Sequence, residues 1–289
     1  MKVLFLLLSM VGCVFSNAQT HNIGIQIGIS NYLGDLTPSQ KAFLYESNLA
    51  VGVSYQYQIT PRFSAKTTLT YCNLSGSDHH FDNDQKQRNL NFRSELYEIA
   101  LLGTFNFIKF KPLQEKMFWT PYIYAGIAGF YFNPKTQFNG DWVELQPLGT
   151  EGQGIPIDKF TNHKKYSRYQ VAIPFGFGAK FSMSKRIDIA LEVGTRKTFT
   201  DYIDDVSLKY VSHSLLETHN GSLAAELSNR TYTLEGEQVD LSNQKRGSLK
   251  GDDWYFISSF TINYTIGKIL ESEKPEKTKK RKYMLNKWL

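Results

Sequence analysis

Between residues 169 and 182 the chain alternates without a break. Tyr169, Val171, Ile173, Phe175, Phe177, Ala179 and Phe181 are separated by Gln170, Ala172, Pro174, Gly176, Gly178, Lys180 and Ser182. Neighbouring side chains of a strand point to opposite faces, so this spacing predicts a strand with one apolar face and one small or polar face. Ile23, Ile25, Ile27 and Ile29 alternate with Gly24, Gln26 and Gly28 in the same way. Leu49, Val51, Val53, Tyr55, Tyr57 and Ile59 alternate with Ala50, Gly52, Ser54, Gln56 and Gln58. Eight such strands are predicted, near residues 22–30, 49–59, 62–74, 94–108, 120–132, 167–182, 186–199 and 253–266. Most run to about 9–16 residues, enough for a tilted membrane crossing (roughly 9–11) and well beyond the ~5–6 of soluble strands.

The connections alternate too. Thr60-Pro61, Ser182-Met183-Ser184-Lys185 and the modest stretch 109–119 are short, whereas 31–48, 75–93, 133–166 and 200–252 are long. Short periplasmic turns opposite long outer loops are the habit of outer-membrane barrels, and a compact soluble domain rarely tolerates so many long loops. The predicted fold is therefore all-β: a transmembrane antiparallel β-barrel, of eight strands, with four long outer loops, short periplasmic turns and both ends on the periplasmic side. Ten strands remain open if part of 200–252 pairs. A soluble lipocalin-like barrel would carry the same periodicity with its faces inverted. Three features favour the membrane: the strand lengths, the Gly, Ser, Thr, Ala and Gln of the polar face, and aromatic residues toward the strand ends. These are Tyr55, Tyr57, Trp119, Tyr122, Tyr169, Phe181, Trp254 and Tyr264, placed as an interfacial girdle would be.

The first residues agree with export. Lys2, an apolar run from Val3 to Phe15 and Ser16-Asn17-Ala18 form a signal peptide over residues 1–18, with cleavage expected after Ala18. The run is too short for a membrane helix, and Cys13 fits a lipoprotein signal poorly. No later segment has the length of a membrane helix. Removing the signal leaves Cys72 alone, so no internal disulfide is expected. The barrel is expected over 19–267. A basic periplasmic tail follows over 268–289, with eight Lys and Arg against three Glu, which holds most of the formal net charge of +6. Such a block is ordinarily a solvated face, and it also suits anionic headgroups or an acidic protein.

Parity turns Lys66, Glu98, Lys180, Asp188, Glu192 and Arg196 into the lumen, three cations and three anions. An eight-stranded barrel is just wide enough to be filled by side chains, and buried charges must pair, so these six are expected to form ion pairs in a plugged lumen. No catalytic constellation stands out. None of His21, His79, His80, His163, His213 and His219 sits in a strand beside a Ser and a carboxylate, as a barrel lipase would require. Asp78-His79-His80 lacks the further ligands of a metal site. Asp201–Asp205, Asp252-Asp253 and Asn220-Gly221-Ser222 read as hydrated loop. The expectation is a protein that is not an enzyme, with no cofactor, no small-molecule substrate and no nucleic acid among its partners.

Four segments carry a resemblance: Ser30-Asn31-Tyr32-Leu33-Gly34-Asp35-Leu36, the strand from Pro121 to Gly129, Thr200-Asp201-Tyr202-Ile203-Asp204-Asp205-Val206-Ser207, and Lys245-Arg246-Gly247 with Asp253-Trp254-Tyr255-Phe256. In this order they resemble the PorG family, the outer-membrane barrel of the type IX secretion system. Ser248-Leu249 departs from the Asn-Pro or Asp-Pro expected after Arg246-Gly247, and the basic tail is extra. The resemblance implies a barrel in the cell outer membrane that serves protein secretion and gliding motility. Its partners would be outer-membrane lipid, a periplasmic ring lipoprotein and that lipoprotein's own partner. It makes Asn31, Tyr32, Gly34, Asp35, Asp201, Asp204, Asp205, Arg246, Gly247, Asp253 and Trp254 the family-type positions, whose expected role is to shape the barrel rim. A stand-alone barrel of adhesin or membrane-stabilising type, acting through its outer loops, is the alternative.

Overall fold

The computed structural model describes residues 20–37, 45–80, 85–110, 118–156, 164–231, 236, 239–248 and 251–266. The expected signal peptide and basic tail lie outside them. Nine strands form one antiparallel sheet: β1 (His21–Leu33), β2 (Asn48–Gln58), β3 (Phe63–Ser77), β4 (Asn91–Asn106), β5 (Trp119–Phe138), β6 (Asp141–Glu144), β7 (Tyr169–Ser182), β8 (Ile187–Thr198) and β9 (Trp254–Ile266). β6 is a short hairpin partner on the outer end of β5. The other eight close a barrel, because β1 pairs β9 and β4 pairs β5. Closure removes the unpaired strand edges that an open sheet would expose. Among the described residues 200–252 adds no barrel strand, so eight strands replace the open choice between eight and ten.

The alternation fixes which face points where. Ile23, Ile25, Ile27, Leu69, Ile99, Leu101, Ile127, Val171, Phe177, Leu191 and Ile262 are exposed on the outside. Gln26, Ser54, Gln56, Thr68, Thr70, Thr104, Thr261 and Asn263 are buried inside. Such a shell is costly in water and is solvated by lipid. Two aromatic levels bound it. Tyr71, Tyr97, Tyr131 and Tyr169 stand directly opposite one another on β3, β4, β5 and β7. Their ring centroids are 5.0, 6.4 and 5.1 Å apart along the row. At the other end Phe63 pairs Phe105 and Trp119 pairs Phe181. Twelve residues of β5 separate Tyr131 from Trp119. At ~3.3 Å per residue and a tilt near 40°, that is about 30 Å, the thickness of a hydrocarbon core.

Tyr122 departs from the expected girdle. It is an inward residue of β5, 1 % exposed, and its ring fills the lumen beside Gly178, where a Cβ would meet it at 2.7 Å. Gly178 is paired directly with Tyr122 on the adjacent strand β7, so a large inward ring lies over a neighbouring strand that must carry glycine there, which helps to explain why the polar face is rich in small residues.

The short connections lie at the end marked by Phe63, Trp119 and Phe181, which is therefore the periplasmic end. At the outer end the long connections fold over the barrel. They carry a 3-10 turn (Asp78–His80), α1 (Gln85–Arg88), α2 (His213–Asn220) and α3 (Ser222–Ser228). Ser212 caps α2, its hydroxyl accepting from Leu215 N–H. Leu216 of α2 and Ala225 of α3 pack on Ile155 and Val211 in a small apolar core of their own. Asn220, expected in an exposed loop, instead lies at the α2–α3 junction. Its amide donates to the carbonyls of Leu148, Gly149 and Gln153.

Candidate functional site

Two buried polar systems stack along the barrel axis, one in the lumen and one in the outer cap. In the lumen, Lys66 Nζ lies 2.6 Å from Glu192 Oε1, which also accepts from the Tyr122 hydroxyl at 2.5 Å. Arg196 Nε donates to Glu98 Oε2 at 3.1 Å, and the Tyr255 hydroxyl donates to the same oxygen at 2.6 Å. Lys180 and Asp188 differ from the expectation that all six charges form ion pairs. Lys180 donates to Gln56 Oε1 at 3.0 Å and sits 4.7 Å over the Tyr122 ring. Asp188 accepts from the Asn263 amide at 2.8 Å. An amide, being dipolar and closer at hand, does for each what an opposite charge would do. All six are less than 9 % exposed, so the passage is occupied by side chains along most of its length.

The cap gathers most of the family-type positions. Tyr32, at the outer end of β1, is fully buried, and its hydroxyl lies 2.7 Å from Asp204 Oδ2 and 2.6 Å from Asp253 Oδ1. The same oxygen accepts from Asp35 N–H at 3.1 Å. The remaining carboxylate oxygens accept backbone N–H groups: Val206 on Asp204 and Ile203 on Asp253. Asp35 in turn accepts from Ser248 N–H. Gly34 and Gly247 are required by proximity. A Cβ on Gly34 would strike the Tyr32 hydroxyl and Asp253, and one on Gly247 would lie 2.6 Å from Asp35 Oδ2. Asn31 is buried beneath the first outer loop, its amide donating to Ser47 Oγ at 2.7 Å. Trp254 faces outward at the interface, with Lys197 Nζ 5.5 Å from its ring.

Arg246 organises the other half of the cap. It is 2 % exposed and donates to Glu151 Oε1 at 3.1 Å, to the Asp205 carbonyl at 2.5 Å and to the Ser228 carbonyl at 3.1 Å. Glu151 also accepts from the N–H groups of Ser207 and Leu208. Asp205 accepts from Thr150 at 2.5 Å and Tyr166 at 2.7 Å. Arg88 holds Asp78 through two nitrogens, at 2.8 and 2.6 Å, and reaches the carbonyls of Asp35 and Arg246.

Burial dominates the electrostatics here. It raises the carboxyls of Asp204 and Asp253 well above the usual range, and each raises the other or is raised by its acidic neighbours. Burial lifts Asp201, half-buried, to about 8. Asp205 rises only to about 6, because Arg246 opposes the effect. The acidic stretch expected to be hydrated loop is thus largely interior: Asp204, Asp205 and Asp253 are each at most 1 % exposed. Glu151, Asp78 and Arg88 were not singled out as cap residues from the sequence. The one signal was the glycine-dense Gly149-Thr150-Glu151-Gly152-Gln153-Gly154, whose three glycines all take positive φ. Asp78 is committed to Arg88 and His80 to Glu46 at 2.8 Å. Among the described residues no group of three or more His, Cys, Asp and Glu is arranged to hold a metal ion.

These features define an outer-membrane β-barrel of eight strands, with a filled lumen and a folded outer lid. A family model described as a domain of unknown function (DUF6089) matches residues 1–144. No curated protein matches the chain. Among solved structures, neisserial surface protein A is similar over 86 % of this chain and 100 % of its own, at 8 % identity and a TM-score of 0.43. The attachment invasion locus protein Ail of Yersinia pestis gives the same coverage and identity with a TM-score of 0.41. OprG of Pseudomonas aeruginosa covers 86 % and 98 %, at 10 % identity and 0.37.

Proposed function

We propose that this barrel is a non-enzymatic component of the type IX protein secretion and gliding machinery, which anchors or organises the periplasmic ring beneath the outer membrane. The observation that carries the reading is the filled lumen. Lys66–Glu192 and Glu98–Arg196 span a passage already occupied by Tyr122, Tyr124 and Tyr255. A barrel that passes no substrate contributes to export by attachment. The resemblance supplies the machine, and several of its positions, Tyr32, Asp35, Asp204, Asp205, Arg246 and Asp253, meet in the buried cap although they are far apart in sequence. The partners on this reading are outer-membrane lipid, the ring lipoprotein and that lipoprotein's periplasmic partner.

A clean deletion of the gene, followed by comparison of the secreted proteins with those of the parent, tests the reading. Trapping of type IX cargo in the periplasm, reversed by complementation, is the expected result. Unchanged secretion removes the proposal and leaves the stand-alone barrel. That alternative draws on the outer cap, which is a folded surface presented to the exterior.

A further inference from the structure

The outer cap holds a cleft of about 590 Å³. Small-molecule sites ordinarily run from roughly 300 to 1,000 Å³. The cleft is separate from the lumen. Its walls come from the outer connections: Gln87 and Arg88 of α1, Tyr210 and Leu241 of the long connection before β9, and the stretch from Gln244 to Ser248. Most of the charge in these walls is already engaged. Arg88 is bound to Asp78 and Arg246 to Glu151, and Asp35 accepts from Ser248 N–H. Three kinds of group are left. Tyr210 is 5 % exposed, and its hydroxyl has no hydrogen-bond partner among the described residues. Burial raises this phenol, and Arg246 and Arg88 oppose the rise, which sets the hydroxyl on the cleft side of the ring. Lys245 is exposed on the wall and stands opposite Lys209 in a backbone bridge. Neither lysine has an ion-pair partner among the described residues. The side-chain amides of Gln87 and Gln244 are exposed and make no hydrogen bond among the described residues.

We infer that this cleft binds an acidic sugar from the cell exterior, whose carboxylate meets Lys245 and the Tyr210 hydroxyl and whose own hydroxyls meet Gln87 and Gln244. A buried hydroxyl without a partner costs stability, and an incoming acceptor relieves that cost. Lysines set directly opposite each other repel, and an anion beside them offsets the repulsion. A carboxylate answers both needs at once, since it accepts from the phenol and carries the counter-charge. Amide side chains donate and accept together, which suits hydroxyl groups. The Tyr210 ring and Leu241 offer an apolar wall to the C–H face of a sugar ring. This goes beyond the scaffold reading and does not depend on it, because the cleft lies at the end of the barrel opposite the periplasmic turns.

The test uses the full-length protein in nanodiscs of zwitterionic lipid, titrated with glucuronate, glucose and acetate and followed by NMR of the ligand. Glucuronate is expected to bind, and glucose and acetate each to bind about tenfold more weakly or worse, since each lacks part of the contacts. Tyr210→Phe removes one oxygen, and Lys245→Ala removes an exposed side chain. Each should weaken glucuronate by about tenfold. Both variants are checked for the gel-mobility shift of a folded barrel and for protease resistance of the lid. The lid of Tyr210→Phe should resist as well as the parent or better, because a buried hydroxyl without a partner is gone. Lower resistance would show that the hydroxyl is already bonded within the lid, and would overturn the assignment. Acetate that binds as well as glucuronate would make the cleft an adventitious ion site only. The acidic sugar is equally overturned by glucose binding as tightly, by no binding of glucuronate, or by variants that bind it as the parent does. None of these results bears on secretion in the deletion strain, so the scaffold reading is tested separately.

Discussion

The phenol oxygen of Tyr32 lies 2.7 Å from a carboxylate oxygen of Asp204, and Asp253 presses the same oxygen from 2.6 Å. A hydroxyl has one hydrogen to give, and Asp35 N–H already occupies one of its lone pairs. One of the two carboxyls must therefore bring a proton of its own. No ion pair relieves either of them among the described residues. Asp35 and Asp201 add negative charge nearby, while Arg88, Arg246 and Asp78 are engaged with each other and with Glu151.

That proton makes the cap sensitive to pH. A carboxyl whose folded pKa is raised contributes stability that is fully present below its unfolded value of ~3.9 and is lost as pH rises through the folded one. Limited proteolysis of the outer loops, run from about pH 5 to 9, is expected to show increasing cleavage toward the alkaline end. Asp253→Asn keeps a group that can hydrogen-bond the phenol but cannot ionise, so its cleavage should rise less toward alkaline pH than the parent's, with Asp201 and Asp205 left to titrate. A parent that is equally resistant throughout would show that the shared proton is absent.

Arg246→Ala should open the cap without opening the barrel. Removing one partner of a buried pair leaves Glu151 and Asp205 uncompensated, at a cost of about 3–5 kcal/mol. The outer loops should become protease-sensitive at neutral pH, while the gel-mobility shift of the folded barrel is retained. Loss of both together would mean that lid and barrel unfold as one unit.

In the lumen, Glu98→Met and Arg196→Met should each destabilise by about 3–5 kcal/mol, whereas the double variant should fall close to the parent. Urea unfolding in lipid vesicles measures all three. Purified parent protein in a planar bilayer should give no steady conductance, and a persistent ohmic current would contradict the filled passage.

Leu101 lies midway along β4 between Tyr97 at the outer aromatic level and Phe105 at the inner one, and it faces lipid. Leu101→Arg should cost about 2–4 kcal/mol and Tyr97→Arg only about 0–1, because the penalty follows depth in the bilayer. Vesicle unfolding of the two variants checks the position of the slab, and equal penalties would displace it.

Barrel and cap differ in how much of them the sequence reveals. Period-two alternation is a local property, so the strand from Tyr169 to Ser182 and the lumen residues of β8 could be read from a few neighbours at a time. Tyr122 departs from the girdle because position near a strand end says nothing of the face: its parity in β5 is opposite to that of Trp119 and Ile123 and turns it inward, onto its strand neighbour Gly178. The cap is non-local. Tyr32 meets Asp253 across 221 positions and Arg246 meets Glu151 across 95. In a single sequence, Asp201–Asp205 has the composition of a solvated loop, and its burial depends on Glu151, Thr150 and Tyr166, which lie in other segments. Motif resemblance marked half of these residues, but it gave no contact between them.

Tyr32 belongs to the first strand and Asp253 introduces the last, and these two strands are hydrogen-bonded neighbours. Their polar contact can exist only after the cylinder has been completed, since before that the two residues stand on opposite free edges. Tertiary order at the outer surface is thus a record of finished assembly. A barrel stalled during insertion would expose a bare phenol and two repelling carboxylates, and any factor that reads the lid would ignore it.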